Sequence, residues 1–188
     1  RIAPGIGPVF YITNNIIAAE SVSTSNVWPE GSAGLSLDGA GMTMAEWDGG
    51  AVDTLHFEFT GRATQVDGAT EVSGHSTHVA GTLVGAGFLY ADLRGMAYAA
   101  NLDAYDWNSD AAEMATAAAN GQLVSNHSYG TAGGWLFTGE LDPPDTWLWI
   151  GGADPGIKED PNFGYYDSMS QLWDQIAAEA PYYLIVKS

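Results

Sequence analysis

Short, mostly apolar runs bounded by Gly, Asp and Asn recur along the chain at Met42 to Trp47, Asn101 to Tyr105, Leu123 to His127 and Leu184 to Val186. Runs of that length and punctuation read as strands buried on both faces. Between them the period lengthens. His75 to Val84 is rich in small residues and reads as a helix enclosed between sheet and loops. Asp110 and Glu113 have capping-box spacing ahead of an Ala-rich helix that Asn120-Gly121 terminates. Tyr166 to Ala180 places Met169, Leu172, Trp173 and Ile176 on one helical face before Pro181 closes it. Two further elements come first: a short strand at Phe10-Tyr11-Ile12, and a short helix over Ile16 to Ser25 that Trp28-Pro29-Glu30-Gly31 ends. Strands alternating with helices predict an α/β protein with a mainly parallel sheet covered on both sides.

Composition narrows the class. The 188 residues suffice for one domain with a sizeable core, and 46% apolar with 12% aromatic content argues against disorder. No apolar run approaches the roughly 20 residues of a membrane span. The start lacks the basic segment and continuous apolar stretch of a signal peptide, so such a segment is expected to be removed or upstream. Five Lys and Arg against 23 Asp and Glu give a net charge of −18, which disfavours nucleic acid and anionic membrane as partners. Solubility and protease resistance of a secreted protein, adaptation to salt and calcium binding by acidic loops would each be served by such a surface. With no Cys there is neither a disulfide nor thiolate chemistry.

Three segments carry candidate chemistry. Gly74-His75-Ser76-Thr77-His78-Val79-Ala80-Gly81-Thr82 opens a predicted helix with two His at i and i+3; Ala45-Glu46-Trp47-Asp48-Gly49-Gly50 delivers an Asp at the end of a predicted strand; Val124-Ser125-Asn126-His127-Ser128-Tyr129-Gly130 is a strand ending in Ser-x-Gly. They resemble, respectively, the His, Asp and substrate-strand motifs of subtilisin-like serine proteases, and along the chain Asp48 precedes His75 as in that family. Gly95-Met96-Ala97-Tyr98 and His56-Phe57-Glu58-Phe59 resemble two more family segments, with Phe57 where the family has proline.

The resemblance implies a three-layer αβα fold, a serine endopeptidase activity and a secreted location. It makes His75 the general base and Asp48 its orienting partner. Ser128, Tyr129 and Gly130 would pair with the substrate backbone, with Trp107 and Asn108 on the facing strand, and His78 would be structural. Two residues depart from the pattern: Ser76 stands where the family has Gly, and Trp47 where it has a small aliphatic residue. The Ala-Gly-Asn and Gly-Thr-Ser motifs of the oxyanion Asn and nucleophile Ser do not occur in these residues. The expected organisation is therefore an N-terminal segment over 1–36 leading into the front portion of a catalytic domain over 37–188. The remaining part, as continuing polypeptide or a second chain, would be a partner alongside the peptide substrate.

Two other readings are open. One is a pseudoprotease or binding module of the same fold; the other is a metal hydrolase using His75, His78 and Asp48. The chemistry of the leading reading requires no cofactor, although structural calcium is compatible with the acidic loops. Thr131 to Tyr166 carries Trp135, Phe137, Trp147, Trp149, Phe163, Tyr165 and Tyr166 together with Asp142, Asp145, Asp154, Glu159 and Asp160. It is expected to flank the substrate groove, to hold calcium or to pack on itself.

Overall fold

The computed structural model describes residues 2–3, 7–8, 15–131, 133–137, 146–151, 156 and 159–188. The strand expected at Phe10-Tyr11-Ile12 and the acidic residues Asp142, Asp145 and Asp154 lie outside these. The described elements in chain order are β1 (Ile2–Ala3), β2 (Gly7–Pro8), α1 (Asn15–Ser21), β3 (Thr43–Asp48), β4 (Ala63–Gln65), α2 (Gly74–Val84), β5 (Asn101–Asp106), α3 (Asp110–Ala119), β6 (Val124–His127), β7 (Trp135–Phe137), β8 (Trp147–Trp149), α4 (Ser168–Glu179) and β9 (Leu184–Lys187).

Five strands form one sheet in the order β4-β5-β3-β6-β9, and every pairing in it is parallel. The protein is therefore of the α/β class with a mainly parallel sheet. β3 is central, which explains its apolar sequence: Ala45 and Trp47 face one side and Met44, Glu46 and Asp48 the other, as the two-residue strand period requires. On the first side Ala45 and Trp47 pack with Met114 and Ala117 of α3 and Ile176 of α4. On the second, Ala80 and Val84 of α2 pack with Ala63, Leu102 and Ala104.

Trp47 is fully buried because flat neighbours receive it. Its indole stacks on Tyr105 at 4.2 Å and on His127 at 5.1 Å, and its Nε1 donates to Glu113 Oε2 at 3.0 Å. That bond removes the cost of burying an indole N–H. It also uses the Glu113 that the sequence assigns to a capping box. The box is not formed: Ser109, at φ 67, is the capping residue of α3, with no side-chain bond, and Asp110 lies inside the helix. Asp110 instead accepts bonds from Ala111 N–H and the Tyr129 hydroxyl.

Segments outside the sheet clamp α2. Gly95, Met96 and Ala97 donate their N–H groups to the carbonyls of Gly85, Thr82 and Leu83, satisfying acceptors at the helix C-terminus. A side chain at Gly95 would meet the Leu83 backbone at 2.7 Å, so this approach requires glycine. Glu58 accepts bonds from Gly87 and Phe88 N–H, ordering the loop that follows α2. The helix expected over Ile16 to Ser25 ends at Ser21, and a single 3₁₀ turn follows over Thr24–Asn26. Trp28 is buried beside it, donating to Met96 O at 2.9 Å beneath the Arg94 guanidinium.

Two expectations differ. Leu184 to Val186 reads as a buried strand, yet among the described residues β9 pairs only with β6 and leaves Leu184 61% and Val186 45% exposed, while Tyr183 packs inward. In α4 only Ile176 is fully enclosed; Met169 and Leu172 of the apolar face are exposed and border cavities between α4 and α3.

Candidate active site

The site lies at the C-terminal end of β3, where parallel sheets collect their functional loops. Asp48 is the last strand residue and is 2% exposed. The chain then turns through Gly49 and Gly50, and Gly50 has φ 94, a conformation that a side chain disfavours. Ala51 then exchanges backbone bonds with the segment before α2: its N–H donates to Glu71 O at 2.8 Å, and its carbonyl accepts from Ser73 N–H at 2.8 Å. This bridge fixes the start of α2 beside the aspartate. Ser73 caps the helix by accepting from Ser76 N–H, and His75 falls in the first turn.

His75 and Asp48 touch. His75 Nδ1 is 2.7 Å from Asp48 Oδ1, and the imidazole is 62% exposed, so Asp48 is buried and the outer face of the ring is open to solvent. The same Oδ1 accepts Gly49 N–H at 2.7 Å. With Nδ1 donating to the carboxylate, Nε2 is left as an acceptor, the tautomer a general base requires. Thr77 completes the support: its hydroxyl donates to Ser73 O and accepts from Asp53 N–H.

Glu46 is the residue that sequence reasoning missed here, and Ser76, noted there only as a departure from the family pattern, has a definite place. Ser76 is fully buried, and its hydroxyl lies 3.0 Å from Gly50 O, 3.2 Å from Gly49 O and 3.4 Å from Asp48 Oδ1. Glu46 is fully buried on the same face of β3 as Asp48, and among the described residues neither of its carboxylate oxygens has a hydrogen-bond partner; nor does Asp48 Oδ2. Burial, and secondarily the charge of Asp48, push the Glu46 carboxyl up to about 9. The available signal was a Glu in an otherwise apolar strand, two positions before the Asp.

The expected substrate residues converge from the neighbouring strands. Trp107 N–H donates to Asp48 O at 2.8 Å, and its ring covers Gly49, where an added Cβ would lie 2.8 Å from the indole. Asn108 is held by Asp106 Oδ1, which accepts from both its backbone and its side-chain N–H groups. Tyr129 meets Trp107 edge to face at 5.7 Å. Ser128 accepts from Asn126 Nδ2 at 2.8 Å, and Gly130 is exposed. Trp107, Tyr129, Gly130, Met169, Trp173 and Lys187 line an open cavity of about 690 Å³.

Behind Tyr129 runs a hydrogen-bonded relay. Tyr183 O–H donates to Ser125 Oγ (2.7 Å), Ser125 to His127 Nε2 (2.9 Å), His127 Nδ1–H to Tyr129 Oη (3.1 Å), and Tyr129 to Asp110 Oδ2 (2.7 Å). Every donor and acceptor is used once if His127 is neutral. Burial, with the nearby Lys187 charge, holds His127 down to about 4, and burial with Asp110 raises Tyr129.

His78 is not joined to the dyad: it is exposed and lines a separate cavity with Phe57, Phe59 and Leu93. Among the described residues no three His, Cys, Asp or Glu form a group that could hold a metal ion. Of the aromatic segment, β7 and β8 form an antiparallel hairpin in which Trp135 faces Trp149 and Phe137 faces Trp147. Asp160 is 2% exposed and accepts Gly134 N–H at 2.8 Å, tying the hairpin to the chain that follows it, whereas Glu159 is exposed. No protein-family model matches the chain, and no curated protein matches it.

Proposed function

We propose that this chain is the front portion of a subtilisin-like catalytic domain, three-layered αβα, and that the protein is a serine endopeptidase. The observation that carries this is the 2.7 Å contact between buried Asp48 and exposed His75 at the end of the central parallel strand. His75 Nε2 takes the proton of a serine hydroxyl as that oxygen attacks the peptide carbonyl, then gives it to the leaving amine. Asp48 fixes the ring and stabilises the imidazolium between the two steps. The serine and an oxyanion-binding Asn come from outside these 188 residues. An extended peptide pairs with Ser128 to Gly130 as an added strand, and Trp107 and Asn108 form the opposite wall.

The protein is read as secreted, with peptide or protein as substrate, neither nucleic acid nor membrane as partner, and no cofactor in the chemistry. Structural calcium in the acidic loops is left open by this reading. Fluorophosphonate labelling of the full-length protein tests the proposal. Labelling of one serine, with peptide cleavage that survives chelators, supports it. Cleavage that resists the fluorophosphonate and is lost to chelators would favour a metal hydrolase instead.

A further inference from the structure

Three buried carboxylate oxygens without partners sit on one face of β3, and they belong to residues two apart. Among the described residues, Asp48 Oδ1 carries all of that carboxylate's bonds, to His75, Gly49 and Ser76, while Oδ2 has none. Glu46 has none on either oxygen and no exposed surface. The registers place Ala104 of β5 and Asn126 of β6 beside Glu46 on this face, so no cation is supplied from either neighbouring strand. Gln65 lies one strand further and is engaged with Val52 N–H and Asp67. From above, α2 brings His75 and buried Ser76, and Ser76 points its hydroxyl at Gly49, Gly50 and Asp48. Asp106, level with Asp48 on β5, adds negative charge and is itself engaged with Gly50 N–H. The cation whose charge reaches Asp48 is Lys187 on β9, two strands away.

A carboxylate buried among such groups is strongly disfavoured as the anion and instead keeps its proton. A neutral carboxylic acid, however, has an O–H that also needs an acceptor. A buried acceptor without a partner on the same strand face is Asp48 Oδ2. Alternate residues of a strand are about 6.6 Å apart at Cα, a gap that a Glu side chain turned toward its neighbour can shorten. We propose that Glu46 is a positioning residue for the Asp48–His75 pair: it is held as the neutral acid and donates its proton in a hydrogen bond to Asp48 Oδ2, the oxygen His75 does not use.

No bond to carbon changes in this arrangement; a single proton is shared between two carboxyl groups. Its consequence lies in the basicity of His75. A donor on Oδ2 withdraws charge from Asp48, so Asp48 holds the imidazolium formed during catalysis less strongly than it would without Glu46. Above about pH 9, where Glu46 ionises, the donor becomes a second anion beside Asp48.

The test has two arms on the full-length protein. The first needs no substitution: with ¹³C-labelled glutamate, the Glu46 carboxyl signal, assigned by its loss in Glu46→Gln, is expected at its protonated position at pH 7 and to titrate only in the alkaline range. An ionised Glu46 at pH 7 overturns the proposal. The second arm rests on the peptidase reading and follows kcat/KM against pH. Glu46→Gln keeps an N–H donor for Oδ2 and is expected to retain the acid limb, whereas Glu46→Val removes it and should move that limb up by about half to one pH unit. Acid limbs that coincide in the two variants overturn the proposal. Failure of the peptidase reading is separable, because it abolishes fluorophosphonate labelling and leaves the carboxyl signal to decide the proton's position.

Discussion

The Ser76 hydroxyl lies 3.4 Å from Asp48 Oδ1, on the carboxylate oxygen that also meets His75, and it sits 3.0 Å from the carbonyl of Gly50. A side chain at this position therefore fills a buried polar niche between the start of α2 and the turn after β3. Replacing it should loosen that turn without removing a reacting group. Ser76→Ala is expected to lower stability by about 1 kcal/mol, the usual net loss for one hydrogen bond, and to reduce kcat/KM by less than about tenfold. Thermal unfolding and steady-state kinetics check both numbers.

Gly49 and Trp107 are coupled by space. A Cβ on Gly49 would lie 2.8 Å from the indole, so Gly49→Ala must displace the ring that walls the groove. Gly49→Ala and Trp107→Ala are each expected to raise KM for peptides roughly tenfold while leaving kcat within about threefold. The double variant should be no worse than the more impaired single one. Additive losses would show that the two residues act separately.

His127 sets an acid limit on stability. Its folded-state value lies near 4, below the ordinary 6.5, so the unfolded chain takes up the proton first. The contribution of neutral His127 is complete above pH 6.5 and is lost as pH falls toward 4, at about 1.4 kcal/mol per pH unit. Denaturant melts across pH 4 to 7 should show that slope diminished in His127→Gln.

Glu46 acts in the opposite direction. Its folded-state value is raised from 4.5 to about 9, so its contribution is complete below pH 4.5 and is lost as pH rises through that window. The wild-type protein is expected to weaken relative to Glu46→Gln by about 1.4 kcal/mol per pH unit between these limits. Parallel stability curves for the two proteins would contradict this.

The sequence marked the centre of the fold better than its edges. β3, β5, β6 and α2 announce themselves through short stretches in which apolar or small residues recur between Gly, Asp and Asn, as strands enclosed in a sheet and a helix packed on it require. β4 and the β7–β8 pair have only three residues per strand, too few for an alternation to register. The capping box at Asp110 was misread for a tertiary reason. Glu113 is drawn to the Trp47 indole and Asp110 to the Tyr129 hydroxyl, and these partners come from β3 and the strand end after β6. Asp48 and His75 were legible from their motifs. Glu46 was not, since what distinguishes it is the lack of any partner around it in three dimensions.

The kcat of His75→Ala, measured on a peptide with the full-length protein, bears most directly on the assignment of this pair. On the peptidase reading, removing His75 would leave only binding and oxyanion stabilisation, so a fall of at least roughly 10⁴-fold is expected, with KM changed little. A variant that folds as the wild type and turns over peptide at a near-wild-type rate would contradict the account.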